Sequence, residues 1–253
     1  MAKAPEIEFR RVSKRFGAGP LVLDGLDLKV SPGEFICVIG PSGCGKTTFL
    51  RMVAGLSRPS GGEIRFDAQA DGTRPELAFI FQDATLLPWL TVLGNIELPL
   101  RLRGEPRAER RATAARLTAE VGLGAVGDYH PRQLSGGMKM RVSLARALSL
   151  SPDVLLLDEP FGALDAITRN RLNEDLLALH RREGWTAFFV THSVTEAVFL
   201  ADRILVLAAE PARVETIIPV DLPRARTLAL RESDEFHDAV AEATRRMHSV
   251  LAR

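Results

Sequence analysis

Gly40-Pro41-Ser42-Gly43-Cys44-Gly45-Lys46-Thr47-Thr48 constrains this chain more than any other stretch. It fits the pattern G-x-x-x-x-G-K-[ST], with Gly40, Gly45, Lys46 and Thr47 in the fixed places. Gly40, Gly43 and Gly45 let the backbone turn tightly, so that successive N–H groups converge on phosphate oxygens. A helix predicted over 46–54 aims its positive end at the same anion. In that arrangement Lys46 reaches the β- and γ-phosphates, and the Thr47 hydroxyl ligates Mg²⁺. The apolar run 34–39 (Glu-Phe-Ile-Cys-Val-Ile) supplies the buried strand that must precede such a loop.

The rest of the chain has room to build a domain around this loop. Its 253 residues, 46% hydrophobic and 26% charged, suit one large globular unit with an ample core. With 33 Lys and Arg against 32 Asp and Glu, the net charge is +1, so no basic field points to nucleic acid. No apolar run approaches the ~18–20 residues needed to span a bilayer. Glu6, Glu8, Arg10 and Arg11 stand where a signal peptide would be apolar. If the protein serves a membrane, another polypeptide is expected to span it. Cys37 and Cys44, one of them inside the loop, make no disulfide framework and suit a reducing cytoplasm.

Taken in order, 6–12 and 26–30 alternate polar and apolar residues as half-exposed strands, with turns at Gly17–Pro20 and Ser31–Gly33. Phe16, in the first turn, is either a plate for adenine or a core residue. Strands are also predicted over 63–66 and 77–81, the latter ending at Gln82. From Trp89 to about Leu150 the period is helical, punctuated by Pro88, Pro99, Pro106 and Pro131. Arg101, Arg103, Arg107, Arg110, Arg111 and Arg116 are interleaved with Glu105 and Glu109 and read as a solvated helix face. Ser135-Gly136-Gly137 opens a helix with Met138, Val142, Ala145 and Leu148 inward, and its start is a second anion site. Runs 154–157 and 186–190 read as strands buried on both faces, joined by a helix over 166–183, and 203–207 begins a last sheet region. An amphipathic helix follows Pro219 and Pro223, capped by Ser233, with Phe236, Val240, Ala243, Met247 and Val250 or Leu251 on its apolar face.

Asp158 and Glu159 follow the strand at 154–157, at the end where open α/β sheets place ligands. Asp158 is suited to hold Mg²⁺ through water, and Glu159 to take a proton from attacking water. Adjacent carboxylates after a strand can also be surface caps. His192 and Gln82 say little alone.

Leu134-Ser135-Gly136-Gly137-Met138 changes that. It resembles the LSGGQ signature of the nucleotide-binding subunits of ABC transporters, with Met138 in the last place. Phe16, Gly40–Thr48, Gln82, Leu134–Met138, Val154–Glu159, Ala163-Leu164-Asp165 (the D-loop) and His192 occur in the family's order over nearly the whole chain. The resemblance implies an α/β fold: a RecA-like phosphate-loop NTPase core with an N-terminal antiparallel β-subdomain and an inserted α-helical subdomain. Residues 1–223 would form the ATPase domain, with the helical insert at about 86–150, and 224–253 a helical extension. Two subunits would dimerise head to tail, each ATP lying between one phosphate loop and the partner's signature. Phe16 and Gly40, Pro41, Ser42, Gly43, Cys44, Gly45, Lys46, Thr47 and Thr48 would bind ATP from one side. Ser135, Gly136, Gly137 and Asp165 would come from the other. Thr47, Gln82 and Asp158 would hold Mg²⁺. Glu159 would act as general base, with Gln82 sensing the attacking water and His192 the γ-phosphate. Alkylation of Cys44 is expected to block the site by crowding the phosphates.

The run 82–92, with its LLPW-TV sequence, followed by Asn95 and Leu98-Pro99-Leu100, looks like the nitrate/sulfonate/taurine class of importer ATPases. The LSGGM signature followed by Lys139 and Arg141 does too, while Met140 departs from the usual glutamine. Leu86, Leu87 and Trp89 would then offer an apolar groove to a separate permease, or Trp89 simply fills the helical core. The partners implied are a second copy or a homologous ATPase, permease subunits and, indirectly, an external solute-binding protein. The place implied is the cytoplasmic face of the inner (plasma) membrane. The rival is an exporter or lipid-transport ATPase, and the solute itself is not encoded here.

Overall fold

The computed structural model describes residues 4–67, 74–208, 213–223 and 225–251, excluding the side chains of Val250 and Leu251. In chain order the strands begin with β1 (Ile7–Arg15), β2 (Leu21–Val30), β3 (Phe35–Ile39), β4 (Gly61–Phe66) and β5 (Leu77–Ile80). They continue with β6 (Val154–Asp158), β7 (Thr186–Val190), β8 (Arg203–Leu207) and β9 (Val214–Pro219). The helices are α1 (Lys46–Val53), α2 (Val92–Leu102), α3 (Arg107–Glu120), α4 (Gly136–Leu148), α5 (Ala166–Glu183), α6 (Val194–Leu200) and α7 (Asp234–Leu251).

Two sheets organise these elements. A three-stranded antiparallel sheet runs β2-β1-β4, and a six-stranded sheet runs β5-β6-β7-β3-β8-β9. In the larger sheet β5, β6, β7, β3 and β8 are mutually parallel, and only β9 pairs antiparallel, on β8. The unbroken apolar runs follow from that placement. Successive side chains of a strand point to opposite faces, and here both faces are covered. Phe35, Cys37 and Ile39 of β3 join one core with α4, α5 and α6, whereas Ile36 and Val38 join a second core with α1 and the antiparallel sheet. Leu155 and Leu157 of β6 divide from Val154 and Leu156 in the same way, as do Ala187 and Phe189 of β7 from Phe188 and Val190.

The insert between β5 and β6 carries α2, α3 and α4. Ile96, Ala114, Leu117 and Met140 are buried in the first core, so Met140 is a packing residue. Pro99 does not end a helix as its position suggested; it lies inside α2, which packs against both α3 and α4. That packing holds the helix through the one hydrogen bond the proline removes. The arginine-rich face is largely solvated. Arg111 pairs with Glu97 at 3.3 Å and Arg116 with Glu120 at 2.7 Å. Phe81 falls outside β5 and stacks on Phe79 at 4.4 Å.

The segment after β9 folds back on the main domain. Arg226, 3% exposed, donates through Nη1 to the carbonyls of Val198, Phe199 and Ala201 at 3.2, 3.1 and 2.8 Å, closing the carboxyl end of α6. Ser233 accepts from the Phe236 N–H at 3.2 Å and starts α7. Phe236 and Ala243 are buried, Val240 and Met247 half-buried, and the Phe199 and Phe236 rings lie 6.3 Å apart.

Candidate functional site

Parallel strands deliver their chemistry to one edge of the sheet. The phosphate loop follows β3, Asp158 and Glu159 end β6, His192 follows β7, and Gln82 lies just past β5. Backbone hydrogen bonds join three of these ends. The Glu159 N–H donates to the Val190 carbonyl at 3.1 Å, and the Thr191 N–H to the Val38 carbonyl at 3.2 Å. Ser42, Gly43, Gly45, Lys46, Thr47, Thr48, Glu159 and His192 line one concave pocket there.

The loop geometry suits phosphate. Gly43 and Gly45 have φ of 79° and 95°, open to glycine at little cost. Gly45 caps α1 without a side chain, so the N-terminal N–H groups of α1 face the pocket instead of an internal acceptor. Gly40 is there for another reason: a Cβ would come within 2.5 Å of the Leu207 carbonyl oxygen and 2.8 Å of Cys44 Sγ. Lys46 Nζ donates to the carbonyls of Gly40 and Pro41 at 3.0 and 2.8 Å, holding its cation inside the loop. Cys44, 3% exposed, sits in the second core with its thiol pKa pushed up by burial, partly offset by the Lys46 charge. Its side chain does not line the pocket. The expectation that alkylating it would readily crowd the phosphates is therefore corrected: the thiol is a core group, and only the backbone of Cys44 belongs to the loop.

Thr47 donates its hydroxyl to Asp158 Oδ1 at 3.1 Å. This pair of hard oxygen donors fits Mg²⁺, which takes one or two protein oxygens and fills its other positions from phosphate and water. Burial pushes the Asp158 pKa up and the Thr47 hydrogen bond opposes it. Glu159 adopts φ of 48°, a left-handed backbone that turns its side chain away from that of Asp158. Its Oε1 lies 2.5 Å from His192 Nε2. Adjacent carboxylates thus have separate partners, Thr47 for one and His192 for the other.

Other sequence-selected residues lie apart from this pocket. Phe16, 54% exposed, carries Lys14 Nζ 4.7 Å from its ring centroid, which rules out the core alternative. Gln82 is exposed and does not line the pocket. Ser135 caps α4 by accepting from the Met138 N–H at 3.3 Å. Asp165 caps α5, accepting from the Thr168 N–H at 3.0 Å, and the Thr168 hydroxyl first, then this N–H, lower its pKa. These two helix starts touch each other. A Cβ on Gly137 would meet Thr168 Cγ2 at 2.7 Å, and one on Gly136 would meet Leu164 Cδ2 at 3.2 Å, so both glycines serve packing as well. Trp89 is 69% exposed, so it does not fill the helical core; Leu86 is half-buried against it.

Sequence reasoning passed over Arg169 and Glu196. Arg169 donates to the carbonyls of Phe161 and Leu164 at 3.2 and 2.6 Å, fixing the D-loop turn. Glu196, buried, accepts from the Thr191 hydroxyl beside His192. Backbone and hydroxyl partners of this kind carry no sequence pattern.

The sheet, the glycine-rich loop leading into α1 and the carboxylates at the end of β6 define a phosphate-loop nucleoside triphosphatase. The chain belongs to the ABC transporter family, whose pattern it matches over residues 23–162. A Brucella abortus (strain 2308) chain described as an ATP-binding protein is 50% identical over 233 residues, 92% of this chain and 89% of its own length. A taurine import ATP-binding protein of Chromobacterium violaceum is 48% identical over 212 residues, 83% of this chain and 81% of its own. A solved dimeric ATP-binding cassette in a post-hydrolysis state with ADP and phosphate superposes with a TM-score of 0.73 at 30% identity, covering 86% of this chain and 100% of that chain. Among the described residues no helix is long and apolar enough to cross a membrane.

Proposed function

We propose that this chain is the ATP-hydrolysing subunit of an ABC importer for a small anionic solute of the nitrate, sulfonate or taurine type. The names of relatives such as the taurine import protein support the importer class. The observation that carries the hydrolytic reading is the separation of Asp158 and Glu159: one faces Thr47, the other His192, both at the edge of the phosphate loop.

In this reading the loop 40–48 and the start of α1 bind the β- and γ-phosphates, Lys46 swinging from its loop carbonyls to their oxygens. Thr47 and Asp158 would hold Mg²⁺, with Gln82 joining them only by moving in from its exposed place after β5. When bound, the ion neutralises charge on the β- and γ-phosphates. Glu159 accepts a proton from the attacking water, whose oxygen bonds to the γ-phosphorus as the bond to the β–γ bridging oxygen breaks. His192 orients Glu159 and contacts the γ-phosphate. Phe16 stacks on adenine, with Lys14 adding a cation over the same ring. Ser135, Gly136 and Gly137 reach the γ-phosphate bound by a second copy, and Asp165 crosses the same interface.

Residues 1–223 form the ATPase unit, with the helical insert at about 86–150, and 224–253 an extension whose helix α7 packs against α6. The exposed Trp89, with Leu86 and Leu87, offers the apolar surface for a separate permease, which would hold the subunit at the cytoplasmic face of the membrane. Glu159→Gln tests the core of this reading. It is expected to bind ATP with unchanged affinity while turnover falls by ~10²–10⁴-fold, the span of a general base. Near-normal hydrolysis by that variant would remove Glu159 from the role.

A further inference from the structure

Thr85 has φ of 45°, a left-handed backbone that a β-branched residue holds only when its surroundings impose it. Arg146, in the last turn of α4, imposes it. Nη1 donates to the Thr85 carbonyl at 3.0 Å, and Nη2 donates to the Ala84 carbonyl at 3.0 Å and the Thr85 hydroxyl at 3.1 Å. The planar fork of a guanidinium matches this set of convergent oxygens, which an ammonium could satisfy only in part. Arg146 is half-buried, and among the described residues it forms no ion pair with a carboxylate. A partly desolvated charge without a counter-ion is costly unless its hydrogen bonds are complete. The loop oxygens accept three of them.

Two functional segments are thereby tied by one side chain. Arg146 ends the helix that Ser135 starts, a helix of 13 residues and roughly 20 Å. Ala84 and Thr85 lie in the loop that carries Gln82 away from β5. We propose that Arg146 is a positioning residue for hydrolysis: its fork on Ala84 and Thr85 holds Gln82 in register with the signature helix. Displacement of α4 by a nucleotide at its Ser135 end then moves Gln82. This rests on the reading of Gln82 and Ser135 given above.

The test uses the full chain and measures kcat and KM for ATP hydrolysis together with the thermal unfolding midpoint. Arg146→Ala is expected to lower kcat by about tenfold to a hundredfold, as misplacing a catalytic group does, with KM changed less than about twofold and unfolding cooperative. Arg146→Lys recovers only part, because one ammonium cannot span the three oxygens. Thr85→Val, which removes the hydroxyl and keeps the volume, shifts kcat in the same direction. Thr85→Asn, tolerant of left-handed backbone and still an acceptor, regains most of that loss. In a Gln82→Ala background Arg146→Ala is expected to have no further effect on kcat. Unchanged kcat in Arg146→Ala, or an equal loss in the Gln82→Ala background, overturns the proposal. So does a parallel fall of kcat, affinity and unfolding midpoint in Arg146→Ala and Thr85→Val alike. If Gln82→Ala alone keeps full turnover, the reading of Gln82 fails and the relay with it. If Gln82→Ala is slow while Arg146→Ala is not, only the relay fails.

Discussion

Cys44 occupies a variable place in the phosphate loop, yet its side chain packs with Phe49, Leu50 and Val38 in the second core. Burial disfavours its thiolate, the nucleophilic form, and does so more strongly still for Cys37. With both thiol pKa values raised, the reactive fraction at pH 8 is below that of a free cysteine. Iodoacetamide is therefore expected to label the native protein at least tenfold more slowly than the urea-unfolded chain, whether or not MgATP is present. Mass spectrometry over time measures this. Equal rates in the native and unfolded protein, or protection that appears only with MgATP, would show the thiol to be accessible from the pocket. The loop motif made every residue between Gly40 and Thr48 look like a phosphate ligand. It could not separate backbone donors from a side chain turned into the core, since the pattern records positions and not directions.

Among the elements, the turn between β7 and α6 has the most unusual support. Glu196 is 6% exposed, accepts from Thr191, and faces Asn173 and Arg169 of α5 and Arg231 of the C-terminal segment. Its pKa is raised, by burial first, with the Thr191 hydrogen bond, the nearby Asn173 amide and the two arginines pulling the other way. The native state therefore keeps this proton at pH values where the unfolded chain, with a glutamate pKa near about 4.3, has released it. Its contribution to stability is complete below the unfolded pKa and declines as pH rises through the folded one. Glu196→Gln keeps an oxygen for Thr191 and removes the charge. It is expected to be more stable than the parent at pH 7, with the difference vanishing near pH 4, in urea unfolding followed across that range. A Gln variant less stable at pH 7 would mean that the arginines outweigh burial. Much of the element plan was legible in the chain: runs 35–39, 154–157 and 186–190 are apolar throughout because two cores cover them, and Ser135 and Ser233 announce helix starts. The arginines that stitch the elements, Arg146, Arg169 and Arg226, were not legible, because their acceptors are main-chain carbonyls that any residue supplies. Pro99 misled for the converse reason, a local break overridden by packing on α3 and α4.

For the whole molecule, the decisive feature is a separation. Lys46, Glu159 and His192 share one pocket, while Ser135 starts α4 elsewhere and packs beside the D-loop. Motif spacing alone could not show whether the phosphate loop and the signature meet within one chain; it was the resemblance to an ABC ATPase that implied they belong to different copies. Under the proposed function, two copies arranged head to tail would bring them together and make the site composite. Complementation between inactive chains tests this most directly. Lys46→Ala disables the loop half and Ser135→Arg the signature half, so each chain alone is expected to be inactive. Mixed in equal amounts at high concentration, half the dimers pair one of each and regain one intact site. ATP hydrolysis is then expected to return to about a quarter of the wild-type rate per chain, by random pairing of independent sites, and to be lost on dilution. A mixture as inactive as its components, with dimers present by sedimentation, would contradict a site shared between two copies.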